Sequence, residues 1–277
     1  MNWRRLGLGL RTLAGGRPGG FFIPYARAGA VPGVRGPYAA VERVLAAHED
    51  VFRATLARVE DFADDLAAIG AAPPPQPRWD QDWFPTLDAA VGYAIVRAAA
   101  PRRLVEVGCG HSTRFYARAV ADGRLATRIV AVDPAPRAGL EGLNVELRRA
   151  DAATAADDAF DALGPGDVLA IDSSHILMPG TDVDRLLNRV LPTLPAGTLV
   201  HIHDVFLPDD YPADWAWRGY NEQLGVAPLL TGGAWQPLFA SHYVATRRAA
   251  WLEGGVLSRL PRAPEGRPAS LWLRRRP

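Results

Sequence analysis

The stretch RRLVEVGCGHSTRFYARAV, residues 102 to 120, constrains the fold of this 277-residue chain more than any other part of it. A short apolar run of buried-strand type contains Glu106, two glycines follow at positions 108 and 110, and a helical pattern then begins at once. A strand that leads through glycines into a helix is typical of a βαβ unit, whose ligands bind at the carboxyl ends of the strands. The stretch therefore predicts an open α/β sheet with a ligand site beside Gly108 and Gly110.

Downstream of residue 85 the chain alternates between helix-like and strand-like periods. Further strand-like runs lie at 128–133, 144–151, 167–174 and 198–206. Such alternation is typical of a mostly parallel sheet that is covered by helices on both faces. From QPLFASHYVATRR onward the chain has strand character without a clear helix, which predicts an antiparallel edge hairpin. The tail LWLRRRP is predicted to be a solvated basic end.

Residues 1–77 are predicted to be an N-terminal extension with one long helix and a Pro-rich linker, followed by a larger domain at 78–277. Pro37 suits the first turn of a helix and Gly70 suits the residue just past its end, so the helix is expected over 37–69. Apolar residues recur along this helix as one stripe. The stripe needs burial, either as a lid or as a homodimer contact.

Composition excludes several classes of protein. The formal net charge is +1, so no overall field draws the chain to nucleic acid or to an anionic membrane. Cys109 is the single cysteine, which rules out an internal disulfide and a multi-cysteine zinc site. The first residues fall short of a signal peptide, and no run approaches the roughly 20 apolar residues of a membrane span. The expected location is the cytoplasm, with no membrane partner.

Three acidic residues stand at or near the ends of successive predicted strands, namely Glu106, Asp133 and Asp151. Asp133 follows Gly108 by 25 residues, about the offset at which an acid receives ribose hydroxyls in nucleotide-binding sheets. A carboxylate at Glu106 would repel a pyrophosphate and attract a ligand that carries an ammonium and a sulfonium. Thr113 also replaces the third glycine of the dinucleotide motif. The pattern therefore favours a cationic ligand over a dinucleotide.

The motifs VEVGCGHS, AVDPAP, RADAA, AIDSSH and HIHD, in this order, resemble those of class I S-adenosylmethionine-dependent methyltransferases. The run from IDSSHILMPG through HIHDVFLPDDYP to YNEQ is similar to a bacterial group of small-molecule methyltransferases. The resemblance implies a Rossmann-like, seven-stranded, mostly parallel sheet with one antiparallel strand and helices on both faces. It also implies transfer of a methyl group from S-adenosylmethionine to a small-molecule acceptor, with oxygen favoured over nitrogen.

The resemblance places the cofactor at the rim of the sheet. Glu106, Gly108 and Gly110 would surround its methionine part, Asp133 would bind the ribose, and Asp151 would lie near the adenine. The commonest form of the first motif has a third glycine where this chain has Ser112, a residue that also suits a helix N-cap. The predicted cofactor-binding residues are Glu106, Gly108, Cys109, Gly110, His111, Ser112, Asp133, Asp151 and Asp172.

Catalytic candidates cluster at the ends of the fourth and fifth predicted strands. Methyl transfer requires an oriented acceptor and, for a hydroxyl, removal of its proton. Histidine titrates near neutral pH and can serve as the base. The predicted catalytic residues are His203, Asp204, His175 and Asp172. His201 and His242 are expected to be hydrogen-bonded structural residues instead.

The same strand ends suit a metal ion. Asp172 and Asp204 could hold a divalent cation that lowers the pKa of an acceptor hydroxyl, since some related sugar and catechol methyltransferases bind magnesium there. His203 stands where paired-acid relatives have a second carboxylate, and imidazole suits manganese, iron or zinc better than magnesium. Asp172, His203 and Asp204 are therefore the candidate metal ligands, and whether a metal is used stays open.

Several residues leave two interpretations open. Trp79, Trp83 and Phe84 would either cover the cofactor or acceptor, or pack the linker onto the core. Asn221 and Glu222 would line the acceptor pocket or lie on a surface helix.

Two other functions also stay open at this point: a nucleotide- or NAD-binding Rossmann-type enzyme, and a catalytically silent cofactor-binding protein. Nucleic-acid methylation is disfavoured, because the fourth strand ends in IDSSH rather than in an Asn/Asp-Pro-Pro-aromatic motif.

Overall fold

A computed structural model describes residues 3–14, 19–20, 25–31, 35–70, 72–155 and 157–277. The strands in these ranges are β1 (Arg103–Val107), β2 (Arg128–Val132), β3 (Val145–Arg148), β4 (Val168–Ile171), β5 (Leu199–Ile202), β6 (Trp235–Ala240) and β7 (Leu271–Arg275). The α-helices are α1 (Trp3–Leu13), α2 (Ala39–Ala46), α3 (Glu49–Glu60), α4 (Ala63–Ala67), α5 (Thr86–Ala99), α6 (His111–Asp122), α7 (Asp158–Asp161), α8 (Asp182–Arg185), α9 (Glu222–Thr231) and α10 (Ser241–Arg247). Short 3-10 or π segments lie at Ala28–Ala30, Leu186–Val190, Leu191–Thr193, Ala213–Arg218 and Ala249–Leu252. Among the described residues, no helix combines the length and apolar character that a membrane crossing needs.

The strands form one seven-stranded sheet in the order β3-β2-β1-β4-β5-β7-β6. Strands β1 to β5 run parallel, whereas β7 is antiparallel to both of its neighbours. Strands β4 and β5 are buried at every position, as expected for parallel strands covered on both faces. The predicted seven-stranded sheet with one antiparallel strand is therefore confirmed. The strand order changes direction between β1 and β4, which is where open α/β sheets bind ligands.

The C-terminal part differs from its prediction. Helix α10 and a long connection separate β6 from β7, so the two strands do not form a simple edge hairpin. Strand β7 lies between β5 and β6, where Trp272 pairs with His201. The tail is consequently not a solvated end, because Leu271, Trp272 and Leu273 are buried. A local sequence pattern does not show which strands a given strand pairs with. Here β7 pairs with β5 on one side and with β6 on the other, and this pairing buries its apolar LWL residues.

The predicted single helix over 37–69 is wrong. Three helices occupy this region, α2, α3 and α4, and the backbone leaves helical geometry at His48 and Phe62. Their apolar stripe is nevertheless continuous and buried on the chain's own sheet layer. Phe52, for example, contacts the ring of Phe239 on β6 at 5.8 Å between centroids. The homodimer stays a prediction, but this stripe does not require one.

Candidate active site

The loop between β1 and α6 passes against the end of β4. Gly108 has a φ angle of +74°, and a Cβ at this position would lie 1.7 Å from the backbone oxygen of Asp172. Only glycine fits so close an approach in the left-handed region. Gly110 is different, because its backbone is extended and a Cβ there would meet no protein atom within 4 Å. The loop is therefore tightly held at Gly108 and borders open space at Gly110.

Glu106 has a different role from the one its charge predicted. Its side chain is buried, and its two carboxylate oxygens accept hydrogen bonds from the hydroxyls of Ser112 and Thr113, each at 2.5 Å. Burial raises the pKa of Glu106 to about 8, against the opposing effect of these two hydroxyls. Both oxygens are therefore engaged by hydroxyls of α6, and contact of Glu106 with the cofactor stays a prediction. Glu106 anchors the first turn of α6 to β1.

This burial predicts a pH dependence of stability. The folded chain keeps a proton on Glu106 that the unfolded chain releases near pH 4.5, so the associated stability is complete below that pH and is lost as pH rises towards about 8. The glutamine of Glu106→Gln cannot ionise, so the stability of this variant lacks this pH dependence. Between pH 4.5 and about 8, the free energy of unfolding of the wild type should therefore fall, relative to that of the variant, by up to about 1.4 kcal/mol per pH unit. Urea denaturation of both proteins from pH 5 to 8 measures the difference. Parallel curves would contradict the expectation.

Asp133 and Asp151 both accept backbone hydrogen bonds. The N–H of Cys109 donates to Asp133 Oδ2 at 2.9 Å and the N–H of Ala135 donates to Oδ1 at 2.7 Å, so half-buried Asp133 ties the glycine loop to the end of β2. Asp151 is exposed and accepts from the N–H of Ala153 at 2.8 Å. Asp133 thus lies beside the loop, whereas the contacts of Asp151 are those of a loop cap.

His111, the first residue of α6, is half-buried. Its Nδ1 is buried and has no hydrogen-bond partner among the described residues. Burial and the neighbouring positive charge of Arg114 lower the pKa of His111 to about 4, so the ring is neutral at physiological pH. It therefore keeps an unused polar atom beside the glycine loop.

Four of the predicted residues converge at the ends of β4 and β5. We call them the acid–histidine cluster: Asp172, His175, His203 and Asp204. His175 Nε2 lies 3.1 Å from Asp172 Oδ1 and 3.4 Å from Asp204 Oδ2. His203 Nδ1 lies 3.6 Å from an oxygen of each of the same two carboxylates. Two acids and two imidazoles thus share one small space directly beside the glycine loop.

The backbone of the acid–histidine cluster is strained. His175 and Asp204 have φ angles of +59° and +55°, in the left-handed region that residues other than glycine rarely adopt. Such strain persists only where the surrounding structure enforces it, and it concentrates at functional sites. The left-handed conformations of His175 and Asp204 turn the chain after β4 and β5, so that side chains from both strand ends meet in one cluster.

The carboxylates and the imidazoles of the cluster stabilise each other's charged forms. Burial by itself lowers the pKa of His203 and His175, but the nearby carboxylates outweigh this effect and raise both pKa values above the ordinary range. Burial likewise raises the pKa of Asp172, but the two histidines overcome it and hold that pKa well below its usual value. The carboxylates therefore favour a proton on both imidazoles, and a cation that bound the same carboxylates would favour release of these protons.

Two further buried acids extend the cluster. Glu222, at the start of α9, lies with Oε2 2.8 Å from His175 Nδ1. Asp88 on α5 is fully buried, accepts the backbone N–H groups of Ala269 and Ser270, and lies 3.6 Å from His203 Nε2. Sequence reasoning assigned no role to Asp88 and left Glu222 undecided. The signal in the sequence for Asp88 was a single acidic residue on the predominantly apolar helix α5.

Other predicted residues have structural roles. His201 is buried between the hydroxyls of Tyr116 and Ser270, at 3.0 and 2.8 Å, which confirms it as a hydrogen-bonded core residue. His242 likewise bonds Asp209 at 2.9 Å.

The aromatic residues ahead of α5 divide between core and surface. Trp79 and Phe84 are buried against Phe115, as packing of the linker onto the core predicts. Trp83 is exposed, with the guanidinium of Arg137 over its ring.

A sequence model described as a methyltransferase domain matches residues 105–205, from β1 to just past β5. No curated protein sequence matches the chain.

Solved structures similar to this fold include a Podospora anserina methyltransferase bound to S-adenosylhomocysteine, with 19% identity over 93% of this chain and 100% of that one, and a TM-score of 0.38. An O-methyltransferase from Bacillus cereus, in complex with the same product, has 14% identity over 86% and 91% of the two chains and a TM-score of 0.40. A branched-chain polyamine synthase from Thermus thermophilus has 17% identity over 91% and 69% and a TM-score of 0.42.

The family match agrees with the sheet. The matched residues contain the glycine loop, the change in strand order and the acid–histidine cluster, and the whole sheet has the strand number and the single antiparallel strand that the motifs imply. Residues 105–205, which hold the glycine loop and the acid–histidine cluster, are therefore similar to a methyltransferase domain.

Proposed function

We propose that this enzyme methylates a hydroxyl group of a small-molecule acceptor. The observation that carries the proposal is the acid–histidine cluster, whose carboxylates and imidazoles lie together at the ends of β4 and β5. Methyl transfer to an amine needs no comparable set of proton-accepting groups once the amine is neutral, whereas a hydroxyl must lose its proton as it attacks. The cluster therefore favours oxygen as the methylated atom.

The cofactor would bind along the glycine loop. Gly108 and Gly110 have no side chain that would keep a ligand away from the backbone. Asp133 lies beside this loop at the end of β2, and Asp172 lies beside it at the end of β4. The full set that we assign to cofactor contact is Gly108, Cys109, Gly110, His111, Ser112, Asp133, Asp151 and Asp172. Glu106 supports this loop through its hydrogen bonds with Ser112 and Thr113.

A divalent cation suits the donor set of the cluster. Asp172, His203 and Asp204 each offer one ligand atom, and these atoms lie within 4.8 Å of one another. Two carboxylates with one imidazole fit manganese, iron or zinc better than magnesium. A cation bound there would lower the pKa of an acceptor hydroxyl.

His175 is the imidazole left outside this donor set. Glu222 binds its Nδ1 and so orients the ring, which presents Nε2 to the cluster. Tyr220 packs on the same ring, with 4.5 Å between centroids. A cation on Asp172 and Asp204 would take up the negative charge that holds a proton on His175, and we assign to the deprotonated Nε2 the acceptance of the proton from the hydroxyl, with Glu222 as the residue that positions the ring.

Isotope transfer tests the methylated atom. The enzyme is incubated with S-adenosylmethionine labelled with ¹³C in its methyl group and with a small-molecule extract of the source organism, with and without manganese. The ¹³C chemical shift separates methyl on oxygen from methyl on nitrogen. We expect O-methyl signals in the small-molecule fraction. Label on nitrogen, or label confined to added RNA or protein, would contradict the proposal.

A further inference from the structure

A group of aromatic rings lies directly beside the acid–histidine cluster. Tyr220, which packs on His175, also contacts Tyr211 and Trp215 edge-on, at 5.9 and 6.1 Å between centroids. Trp215 belongs to the 3-10 segment Ala213–Arg218, whose residues are all at least partly exposed. One aromatic ring therefore separates the cluster from this solvent-facing segment.

Arg218 lies on this aromatic group and keeps an unused cationic edge. Its guanidinium carbon is 4.0 Å from the ring centroid of Trp215 and 5.3 Å from that of Tyr220. One terminal nitrogen donates to the Tyr220 hydroxyl at 3.1 Å, whereas Nε is buried without a hydrogen-bond partner in the described part of the chain. No carboxylate of the described residues forms an ion pair with Arg218 within 4.0 Å.

The neighbouring Arg267 also packs on Trp215, but unlike Arg218 it is paired with a carboxylate. It lies 5.9 Å from the centroid of Trp215, and its two terminal nitrogens bond the two oxygens of Asp214 at 2.8 and 2.9 Å. Asp214 is thus engaged on both oxygens by Arg267. Among the described residues, no carboxylate is left to pair the positive charge of Arg218.

We infer that Arg218 binds an anionic group, a carboxylate or a phosphate, on the acceptor of the methyl group. A guanidinium stacked on aromatic rings is oriented in advance and binds such groups through two parallel hydrogen bonds. The acids of the cluster repel an anion, so the charged end of the acceptor lies at Arg218 and its hydroxyl lies at the cluster. Tyr220 joins the two ends, because both His175 and Arg218 pack against its ring, at 4.5 and 5.3 Å from its centroid. This inference rests on the proposed function and specifies its substrate class.

Binding of matched probes tests the inference. Protein saturated with S-adenosylhomocysteine is titrated calorimetrically with 4-hydroxybenzoate, with 4-hydroxyphenyl phosphate and with the neutral 4-hydroxybenzamide. We expect at least one anion to bind about tenfold more tightly than the amide, since a charge-assisted pair contributes roughly that much. Which anion binds more tightly distinguishes a carboxylate acceptor from a phosphate acceptor. Arg218→Gln should remove the preference, and Arg267→Gln, the matched control, should keep it.

Three results would overturn the inference: equal binding of the amide and both anions to wild type, no saturable binding of either anion, or equal loss of the preference in both variants. Unchanged thermal melting of Arg218→Gln shows that a lost preference is not a folding defect. Isotope transfer to oxygen is measured independently. If that transfer occurs while the anion preference is absent, the inference fails and the proposed function stands.

Discussion

Gly108→Ala is expected to abolish binding of S-adenosylhomocysteine and to destabilise the protein strongly. The new Cβ would lie 1.7 Å from the backbone oxygen of Asp172, and the residue would have to keep a φ of +74°. Left-handed geometry costs an alanine about 1 to 2 kcal/mol, and relieving the overlap costs about 1 to 3 kcal/mol more. Because the overlap is with backbone, β1 and β4 must separate at their ends. Thermal melting and calorimetric titration with the product measure both effects.

Gly110→Ala is the matched control for this prediction. The backbone of Gly110 is extended, and a Cβ there would meet no protein atom within 4 Å. The melting temperature of Gly110→Ala should therefore stay within a few degrees of the wild-type value, which corresponds to a change in stability of about 1 kcal/mol or less. Any loss of product binding in Gly110→Ala would then report contact with the ligand. Wild-type melting and product binding in Gly108→Ala would refute the geometry described for this loop.

Asp204→Asn is expected to lower methyl transfer and Mn²⁺ affinity, each by about 100-fold or more. Loss of an outer residue at a metal site already costs 10- to 100-fold, and Asp204 belongs to the donor set itself. Asparagine has nearly the same shape and tolerates the φ of +55° at this position, so the fold should be retained. Titration calorimetry with Mn²⁺ and turnover of labelled cofactor measure the two losses. Asp158→Asn, which removes an exposed carboxylate paired with Arg148, is the control.

The two histidines of the cluster should respond differently. His203→Ala removes a proposed ligand and should weaken Mn²⁺ binding, whereas His175→Ala should spare most of that binding and lose transfer. Equal loss of Mn²⁺ affinity in both variants would contradict this division of roles. Full activity of Asp204→Asn in the presence of a chelator would exclude the cation from the reaction.

The parts of the fold that local pattern controls could be predicted from the sequence. The first five strands, the glycine loop and helix α6 follow from apolar runs, glycines and helical spacing, which act over a few neighbouring residues. The position of β7 could not be predicted, because pairing of Leu271–Arg275 with both β5 and β6 depends on segments distant in the chain. Helices α2, α3 and α4 were predicted as one helix, because an apolar stripe that continues along all three does not reveal where the chain changes direction.

The site shows the same division. The sequence by itself determined that acids and histidines stand at the ends of β4 and β5, because strand ends are readable and parallel strands bring their ends together. Only the tertiary structure decided what each side chain faces. Glu106 turned inward to two hydroxyls, and Glu222 and Asp88 reached the two histidines from helices elsewhere in the chain. The type of each residue can be read from the sequence, whereas its burial, its hydrogen bonds and therefore its charge depend on the neighbours that folding supplies.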